Sequence, residues 1–303
     1  MKKILACLLV LIAWSPEATC QPLQDSCTTD DGVKLYVSKS GKGPLCIFVH
    51  GGPGAWSKSF EALKGSSLEK ELCMVYYDQR GCGRSGNSES GDYSLERMVN
   101  DIEVIRKRYG NDKVYLLSHS FGGILALSYA LKYPEHVKGL ILVNATLDIR
   151  SSLESQICYI NSLLKTNFAT ADRSPASVLA TFMEARTALS EKDLTYKVLS
   201  DSRQSVITLD SIDASSKRSY DFAQKAFTID DYWKDYTGLT GHAKAPVLAI
   251  TGTSDHSVGE NHYLSFSFTN GQIEKIAGGH MLYYENNSAF TKAIFKFVRK
   301  TSR

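Results

Sequence analysis

The stretch YLLSHSFGGILAL, from Tyr115 to Leu127, places a short polar segment between two apolar runs. The first run is typical of a buried strand and the second of a buried helix. Ser120 therefore lies between a strand and a helix, with glycines two and three residues later. A tight strand-to-helix turn with small neighbours holds a serine hydroxyl exposed, as a nucleophile requires. Taken alone, the motif fits a plain turn equally well, because Ser118 stands where the usual motif has glycine.

Short apolar runs alternate with helical patterns along the rest of the chain. Most of these runs lack polar alternation, as expected for strands that are covered on both faces. Strands that alternate with helices indicate an α/β fold with a mostly parallel sheet flanked by helices. The predicted strands are Val33–Val37, Leu45–Val49, Cys73–Tyr77, Val114–Leu117, Leu140–Val143, Val247–Thr251 and Ile273–Ile276, and the predicted helices are Leu95–Arg108, Phe121–Lys132 and Ser288–Lys300.

Residues 148–242 interrupt this alternation. They contain no convincing buried strand, and their apolar residues recur at helical spacing, as at Ile157 and Ile160. We therefore predict a helical cap at residues 148–242, inserted into a core that is formed by residues 28–147 and 243–303. Aromatic residues near the end of the cap are expected mostly to pack inside the protein, and some of them to line a pocket between cap and core.

The first 20 residues have the pattern of an export signal. Lys2 and Lys3 precede an apolar run that is too short to span a bilayer, and a polar cleavage region follows. We therefore expect residues 1–20 to be a signal peptide and the protein to be exported, either periplasmic or secreted. Two alternatives remain open. One is an uncleaved anchor, and the other is a lipoprotein that binds the membrane through an acylated Cys20.

The composition argues against several classes of function. A net charge of +3 is too small to indicate nucleic acid as the partner. No CxxC or HExxH spacing is present, so we expect no metal ion. Five cysteines follow the predicted signal, and their odd number and spacing do not resemble a disulfide framework.

Two glycine-containing loops follow predicted strands near the start of the core. HGGPG, at residues 50–54, has glycines that let a backbone N–H approach a substrate carbonyl. We predict that this N–H and the N–H of Phe121 form an oxyanion hole, and a Gly-Pro loop without a ligand is the alternative. We interpret DQRGCGRS, at residues 78–85, as a structural loop in which Asp78, Arg80 and Arg84 pair and brace the HGGPG loop.

Candidate partners for Ser120 follow the last two predicted strands. Asp255 comes after the first of these strands and His280 after the second. Both positions lie at strand C-termini, where open parallel sheets build their sites. We therefore predict a triad in which Ser120 attacks, His280 transfers the proton and Asp255 holds the imidazole. His256 and His262 are weaker candidates for the base, because the former adjoins the acid and the latter follows no core strand.

These motifs resemble those of the α/β-hydrolase superfamily, and within it those of the proline iminopeptidase family. HGGPG together with DQRGCGRS looks like the paired signature of that family, and ordered motifs extend the resemblance over most of the chain. The resemblance implies an α/β-hydrolase fold and cleavage of an N-terminal residue, usually proline, without a cofactor. It also implies roles for five residues, with Ser120, Asp255 and His280 as the triad and Gly52 and Phe121 as the oxyanion donors.

The chain departs from that family in two respects. SHSFGG looks more like the motif of generic ester and amide hydrolases, and an export signal is unusual for an enzyme that completes peptide breakdown. The family binds the free amine of its substrate with cap carboxylates, for which the candidates here are Glu184, Glu191, Asp230 and Asp231. The expected partner is thus a small peptide. A carboxylesterase or lactonase with the same triad is the alternative, with an ester as partner, and a non-catalytic binding protein on this scaffold is a remote one.

Overall fold

The computed structural model describes residues 23–110 and 112–302, so the predicted signal peptide and Cys20 lie outside the described residues. Eight strands form one sheet in these residues. They are β1 (Leu23–Thr28), β2 (Lys34–Ser40), β3 (Leu45–Val49), β4 (Cys73–Tyr77), β5 (Val114–His119), β6 (Val137–Val143), β7 (Val247–Gly252) and β8 (Gly271–Ile276). Their order across the sheet is β1-β2-β4-β3-β5-β6-β7-β8.

The sheet is parallel over most of its width. Neighbouring strands from β4 to β8 pair in parallel, and β1 and β2 add an antiparallel edge. Every residue of β3 and β4 is buried, because helices cover both faces of the sheet there. The predicted mostly parallel sheet is therefore confirmed.

Strand β1 is absent from the sequence prediction. Its sequence, LQDSCT, contains no apolar run, and it lies at the edge of the sheet, paired only with β2. Backbone pairing with a distant strand stabilises β1, and such pairing leaves no periodic pattern in the sequence.

Helices cover the two faces of the sheet and fill the connections between its strands. They are α1 (Ser57–Ala62), α2 (Leu95–Arg108), α3 (Gly122–Lys132), α4 (Ile149–Leu164), α5 (Pro175–Glu191), α6 (Arg203–Asp213), α7 (Asp221–Lys225), α8 (Leu282–Glu285) and α9 (Asn287–Thr301). The three predicted helices, α2, α3 and α9, are confirmed to within one residue at each end. No helix in residues 23–110 or 112–302 is both long enough and apolar enough to cross a membrane.

The segment between β6 and β7 is helical, and we call it the helical insert. It contains α4 to α7 and several short 3-10 turns, with no strand among them. Apolar residues of α4 and α5 form a small core of their own: Ile157, Ile160, Ala185 and Leu189, with Val198 beside them. Its status as a separate domain stays a prediction.

The described segments contain five cysteines. Cys27, Cys46, Cys73 and Cys82 are buried, and Cys158 is exposed on α4. Burial raises the pKa of the Cys46 and Cys82 thiols, so both remain protonated.

The two arginines of the DQRGCGRS loop form ion pairs with different acids. Arg84 pairs with the buried Asp78, as predicted, and Asp78 also accepts hydrogen bonds from the N–H and Oγ of Ser57 at 2.9 and 2.7 Å. Arg80 does not join this pair. Its guanidinium binds both carboxylate oxygens of Asp101 at 2.7 and 2.6 Å and also contacts Asp31. Because Asp101 lies on α2, Arg80 fixes that helix to the loop rather than bracing the HGGPG segment.

Arg80→Met should destabilise the protein by about 3–5 kcal/mol, because it leaves the buried carboxylate of Asp101 without a counter-charge. Adding Asp101→Leu should restore most of the loss, since no buried charge then remains unpaired. Urea unfolding measures both effects. The control is Arg299→Met, which breaks an exposed pair with Glu71 and should leave the urea midpoint nearly unchanged. A double variant as unstable as Arg80→Met would contradict this account.

Candidate active site

Ser120 lies in a strained turn between β5 and α3. Its φ angle is +55°, in the left-handed region that residues with a side chain rarely adopt. Three backbone hydrogen bonds hold it there. The Ser120 N–H donates to Val143 O at 3.1 Å, and its carbonyl accepts from Gly123 N–H at 2.9 Å and Thr146 N–H at 3.1 Å. The hydroxyl is partly exposed and has no hydrogen-bond partner among the described residues.

The small residues around Ser120 permit the close packing of this turn. A Cβ at Gly122 would lie 2.3 Å from Val49 O, and one at Gly51 would lie 2.8 Å from the Cβ of Ser120. Ser118, which replaces the usual first glycine, is completely buried, and its Oγ donates to Ile141 O at 3.4 Å. A serine therefore fits the first position of the motif without displacing the strand.

His50 braces the HGGPG loop. Its Nε2 accepts a hydrogen bond from the Gln79 N–H at 2.9 Å, so its proton lies on Nδ1, which donates to Gly51 O at 2.8 Å. The Gln79 amide returns a bond to His50 O at 2.7 Å. Burial lowers the pKa of His50, so the ring is neutral and serves to position the loop.

Two backbone N–H groups beside Ser120 are free to bind an oxyanion. Gly52 and Phe121 border the same small cavity as Ser120. Neither N–H has a hydrogen-bond acceptor in the part of the chain that the structure describes. Phe121 also precedes the first turn of α3, whose N-terminus favours negative charge. The sequence prediction named these two residues, and the structure brings them together at the serine.

His280 and Asp255 form a buried pair at the ends of β8 and β7. His280 Nδ1 lies 3.0 and 3.1 Å from the two carboxylate oxygens of Asp255. The carboxylate also accepts the N–H groups of Ser257 and Val258 at 2.9 and 3.2 Å. Burial opposes ionisation of Asp255, but its interactions with His280 outweigh this effect and hold the pKa of the carboxyl below its ordinary range.

The backbone of His280 is fixed at both ends. Its N–H donates to Leu199 O, in the helical insert, at 2.9 Å. Its carbonyl accepts from Asn144 Nδ2 at 3.1 Å and from His119 Nε2 at 2.9 Å, so the proton of the His119 ring lies on Nε2. Desolvation and the proximity of His280 lower the pKa of His119 to about 3, and this ring adds no charge beside His280 at neutral pH.

Asn144 connects the two loops that carry the acid and the imidazole. It follows β6 directly and is completely buried. Its Oδ1 accepts the Gly252 N–H, at the end of β7, at 2.7 Å, and its Nδ2 also donates to Gly279 O at 3.0 Å. The sequence analysis missed Asn144, although the rule that found Asp255, a polar residue directly after a buried strand, would have identified it.

The two alternative histidines lie away from the serine. His256 stacks on Tyr159, with ring centroids 3.7 Å apart, and His262 Nδ1 donates to Gly259 O at 2.7 Å. Neither makes a hydrogen bond to Asp255, whereas His280 does. The geometry therefore favours His280 as the base.

Two cavities adjoin Ser120. The larger, of about 240 Å³, is also bordered by His280, Gly52 and aromatic side chains. The smaller, of about 70 Å³, is bordered by Gly52, Phe121 and residues of α4. We refer to them as the large and the small cavity.

None of the four acids proposed to bind a substrate amine lines either cavity. Glu184, Glu191 and Asp230 are exposed, and Asp231 pairs with Lys234. The carboxylate that does border the large cavity is Asp213, at the end of α6, which the sequence analysis missed because nothing in its local pattern marks it.

Asp213 is already fully engaged by its neighbours. Its Oδ1 accepts from Trp56 Nε1 at 2.8 Å and from Ser59 Oγ at 2.6 Å. Its Oδ2 lies 3.1 Å from the guanidinium of Arg218. The carboxylate thus positions the Trp56 indole, and Arg218 balances its charge.

Comparison with known proteins gives relatives over part of the chain and structures over nearly all of it. A proline iminopeptidase from Saccharolobus solfataricus is 40% identical over 111 residues, which is 36% of this chain and 35% of that protein. A proline iminopeptidase from Thermoplasma volcanium is 42% identical over 95 residues, 31% of this chain and 32% of that protein. The matched segments thus span about a third of the length of these relatives.

The crystal structure of a proline iminopeptidase-related protein from Thermus thermophilus has the same fold. It aligns with a TM-score of 0.72 at 21% identity and covers 91% of this chain and 97% of that one. The family model described as the alpha/beta hydrolase fold matches residues 44–287, from the start of β3 to the start of α9. The resemblance to the α/β-hydrolase superfamily and to proline iminopeptidases is thereby confirmed. The chain belongs to the alpha/beta hydrolase fold family.

Proposed function

We propose that this protein is a serine hydrolase in which Ser120 is the nucleophile, His280 the general base and Asp255 its orienting acid. One observation carries the proposal. His280, which is paired with Asp255, borders one cavity together with the unpartnered hydroxyl of Ser120, and the free N–H groups of Gly52 and Phe121 border a second cavity at the same serine. These are the groups that acyl transfer requires.

The reaction proceeds through an acyl-enzyme. Ser120 Oγ attacks the substrate carbonyl as its proton passes to His280 Nε2, and the N–H groups of Gly52 and Phe121 stabilise the oxyanion. The bond to the leaving group then breaks, and His280 returns the proton to that group. Water, activated by the same imidazole, hydrolyses the acyl-enzyme. Asp255 stays ionised and holds the imidazole in the tautomer that carries its proton on Nδ1.

The geometry best supports a substrate without charge near its carbonyl, such as a carboxylic ester or lactone. An aminopeptidase must bind the ammonium of its substrate, and an ammonium in a closed pocket needs a carboxylate partner. The small cavity is lined by no charged side chain, and the carboxylate of Asp213 in the large cavity is already paired. Cleavage of an ester meets no such requirement.

Removal of an N-terminal proline or small apolar residue is the second candidate. It is supported by the HGGPG and DQRGCGRS motifs and by the partial identity to the two proline iminopeptidases. In that case one acid of the helical insert, among Glu184, Glu191, Asp230 and Asp231, must approach the site when substrate binds.

The triad predicts a ranking of variants. A fluorophosphonate should label Ser120, and Ser120→Ala should abolish both labelling and turnover. His280→Ala should lower kcat by about 10⁴-fold or more, whereas His256→Ala and His262→Ala should change it little. Labelling located by peptide mass mapping and ester hydrolysis measure these effects. Full activity in Ser120→Ala, or a greater loss in His256→Ala than in His280→Ala, would refute the assignment.

The substrate class predicts the response to loss of the substrate amine. A short ester and isobutyryl anilide should be cleaved at least as well as alanyl anilide, because the cavities offer an ammonium no unpaired carboxylate. Isobutyryl matches alanyl in size and lacks its amine, and assays of the three substrates measure the effect of the amine alone. A preference of about a hundredfold or more for alanyl anilide over isobutyryl anilide would instead establish the aminopeptidase.

The position of Asn144 predicts that its replacement lowers the catalytic rate with little effect on substrate binding. Asn144→Ala should lower kcat by about 10- to 100-fold with KM nearly unchanged, because His280 and Asp255 lose their common anchor. The fluorophosphonate labelling rate should fall in parallel. The matched control is Asn161→Ala, in which an amide that bonds the backbone of Phe168 is lost and only stability should change. Equal kcat values for the two variants would show that Asn144 only stabilises the fold.

A further inference from the structure

We infer that the two cavities beside Ser120 divide the substrate, with a short acyl group in the small cavity and a bulky apolar alcohol in the large one. This inference rests on the proposed triad and goes beyond it, because the triad alone is compatible with either orientation. The preferred substrate would then be a short-chain acyl ester of an aromatic or branched apolar alcohol.

The position of the base sets the orientation. In the tetrahedral intermediate, the leaving oxygen must receive the proton that His280 took from Ser120, so the leaving group lies on the imidazole side of the serine. His280 borders the large cavity and does not border the small one. The alcohol therefore occupies the large cavity, and the acyl chain extends away from His280.

The small cavity fits an acyl chain of limited length. At about 70 Å³ it has room for a group of roughly two to four heavy atoms. Its apolar walls are Ile149 and Leu153 of α4, together with Phe227 and Val258. Its polar walls already have partners. Thr146 Oγ1 and Ser152 Oγ are 2.7 Å apart, and Gln156 Nε2 donates to Ser257 O at 2.7 Å. Only a small, uncharged group is well accommodated there.

The large cavity is suited to a ring or a branched chain. Its volume of about 240 Å³ is bordered by Trp56, Phe60, Leu199, Leu209 and Met281. The hydrogen bond from Trp56 to Asp213 fixes one of its walls. Because Arg218 balances the carboxylate, this wall offers apolar surface rather than a charge for a polar leaving group. Burial of a phenyl ring there is favoured by the hydrophobic effect.

The chemistry balances without any further reactant. The Ser120 Oγ–carbon bond forms and the ester carbon–oxygen bond breaks, and the alcohol departs with the proton from His280. Water then supplies the oxygen of the released acid and the proton that returns to Ser120 Oγ.

Four esters test the division, because they vary the acyl chain and the alcohol independently. They are propyl acetate, propyl hexanoate, 3-phenylpropyl acetate and 3-phenylpropyl hexanoate, whose two alcohols have similar acidity. For the wild-type chain, kcat/KM should rise by about tenfold or more when phenylpropyl replaces propyl. It should fall by about tenfold or more when hexanoate replaces acetate, because the longer chain exceeds the small cavity.

Two variants assign each effect to its own cavity. Leu209→Trp, at a half-buried position of α6, should remove the preference for phenylpropyl over propyl and keep the preference for acetate over hexanoate. Phe227→Ala should raise the rate with hexanoates and leave the preference for phenylpropyl intact. The control for the added indole is Met183→Trp, at an exposed site on α5, which should behave like the wild type.

The opposite pattern would overturn the division. Leu209→Trp would then change the preference for acetate over hexanoate, or Phe227→Ala would change the preference for phenylpropyl over propyl. Equal rates of the wild-type chain with all four esters would overturn the division as well. Ser120→Ala separates this failure from failure of the proposed function. If that variant is inactive and the pattern is reversed, only the division is wrong. If it is active, the triad is wrong and the division falls with it.

Discussion

The left-handed backbone of Ser120 is the constraint on which the arrangement of the site depends. Such a conformation costs about 1–3 kcal/mol and persists only where the surroundings impose it. Here backbone hydrogen bonds join Ser120 to the end of β6 and to the start of α3. The missing side chains of Gly122 and Gly51 also leave room for Val49 and for Ser120 to pack closely. The strain is localised at one residue, and its result is a hydroxyl that projects from the carboxyl edge of the sheet. The oxyanion donors and the imidazole are positioned around that point.

Hydrogen bonds between loops then position the rest of the site. The carboxyl ends of β3, β5, β7 and β8 lie at one edge of the sheet, because these strands are parallel. The loops that follow these strands have no regular secondary structure that would fix their positions. Hydrogen bonds from buried neutral side chains fix these loops. His50 fixes the HGGPG loop to the DQRGCGRS loop, and Asn144 and His119 fix the backbone of His280. Each of these side chains has a defined tautomer or orientation, because its partners can only donate or only accept.

The sequence predicted the elements that local pattern determines and missed those that depend on distant partners. Strands, helices and the positions of Ser120, Asp255 and His280 follow from apolar periodicity and from the rule that sites form where parallel strands end. The pairing of Arg80 with Asp101, and the role of Asp213 beside Trp56, join residues that only the folded chain brings together. The charged residues of DQRGCGRS suggested that this loop braces another segment, but the sequence could not identify Asp101 of α2 as the partner of Arg80. The acids of the helical insert were indistinguishable in sequence for the same reason.

The bond from the His280 N–H to Leu199 O links the helical insert to the imidazole. An insert that moved away as a rigid body would leave that buried amide without an acceptor, at a cost of about 1–3 kcal/mol. Access for substrate and alignment of the base are therefore coupled through one peptide group. Motions that admit a substrate while the residues around Leu199 stay in place keep the imidazole aligned, and motions that displace this segment release it. Exchange of the His280 amide proton with solvent would thus report on opening of the insert.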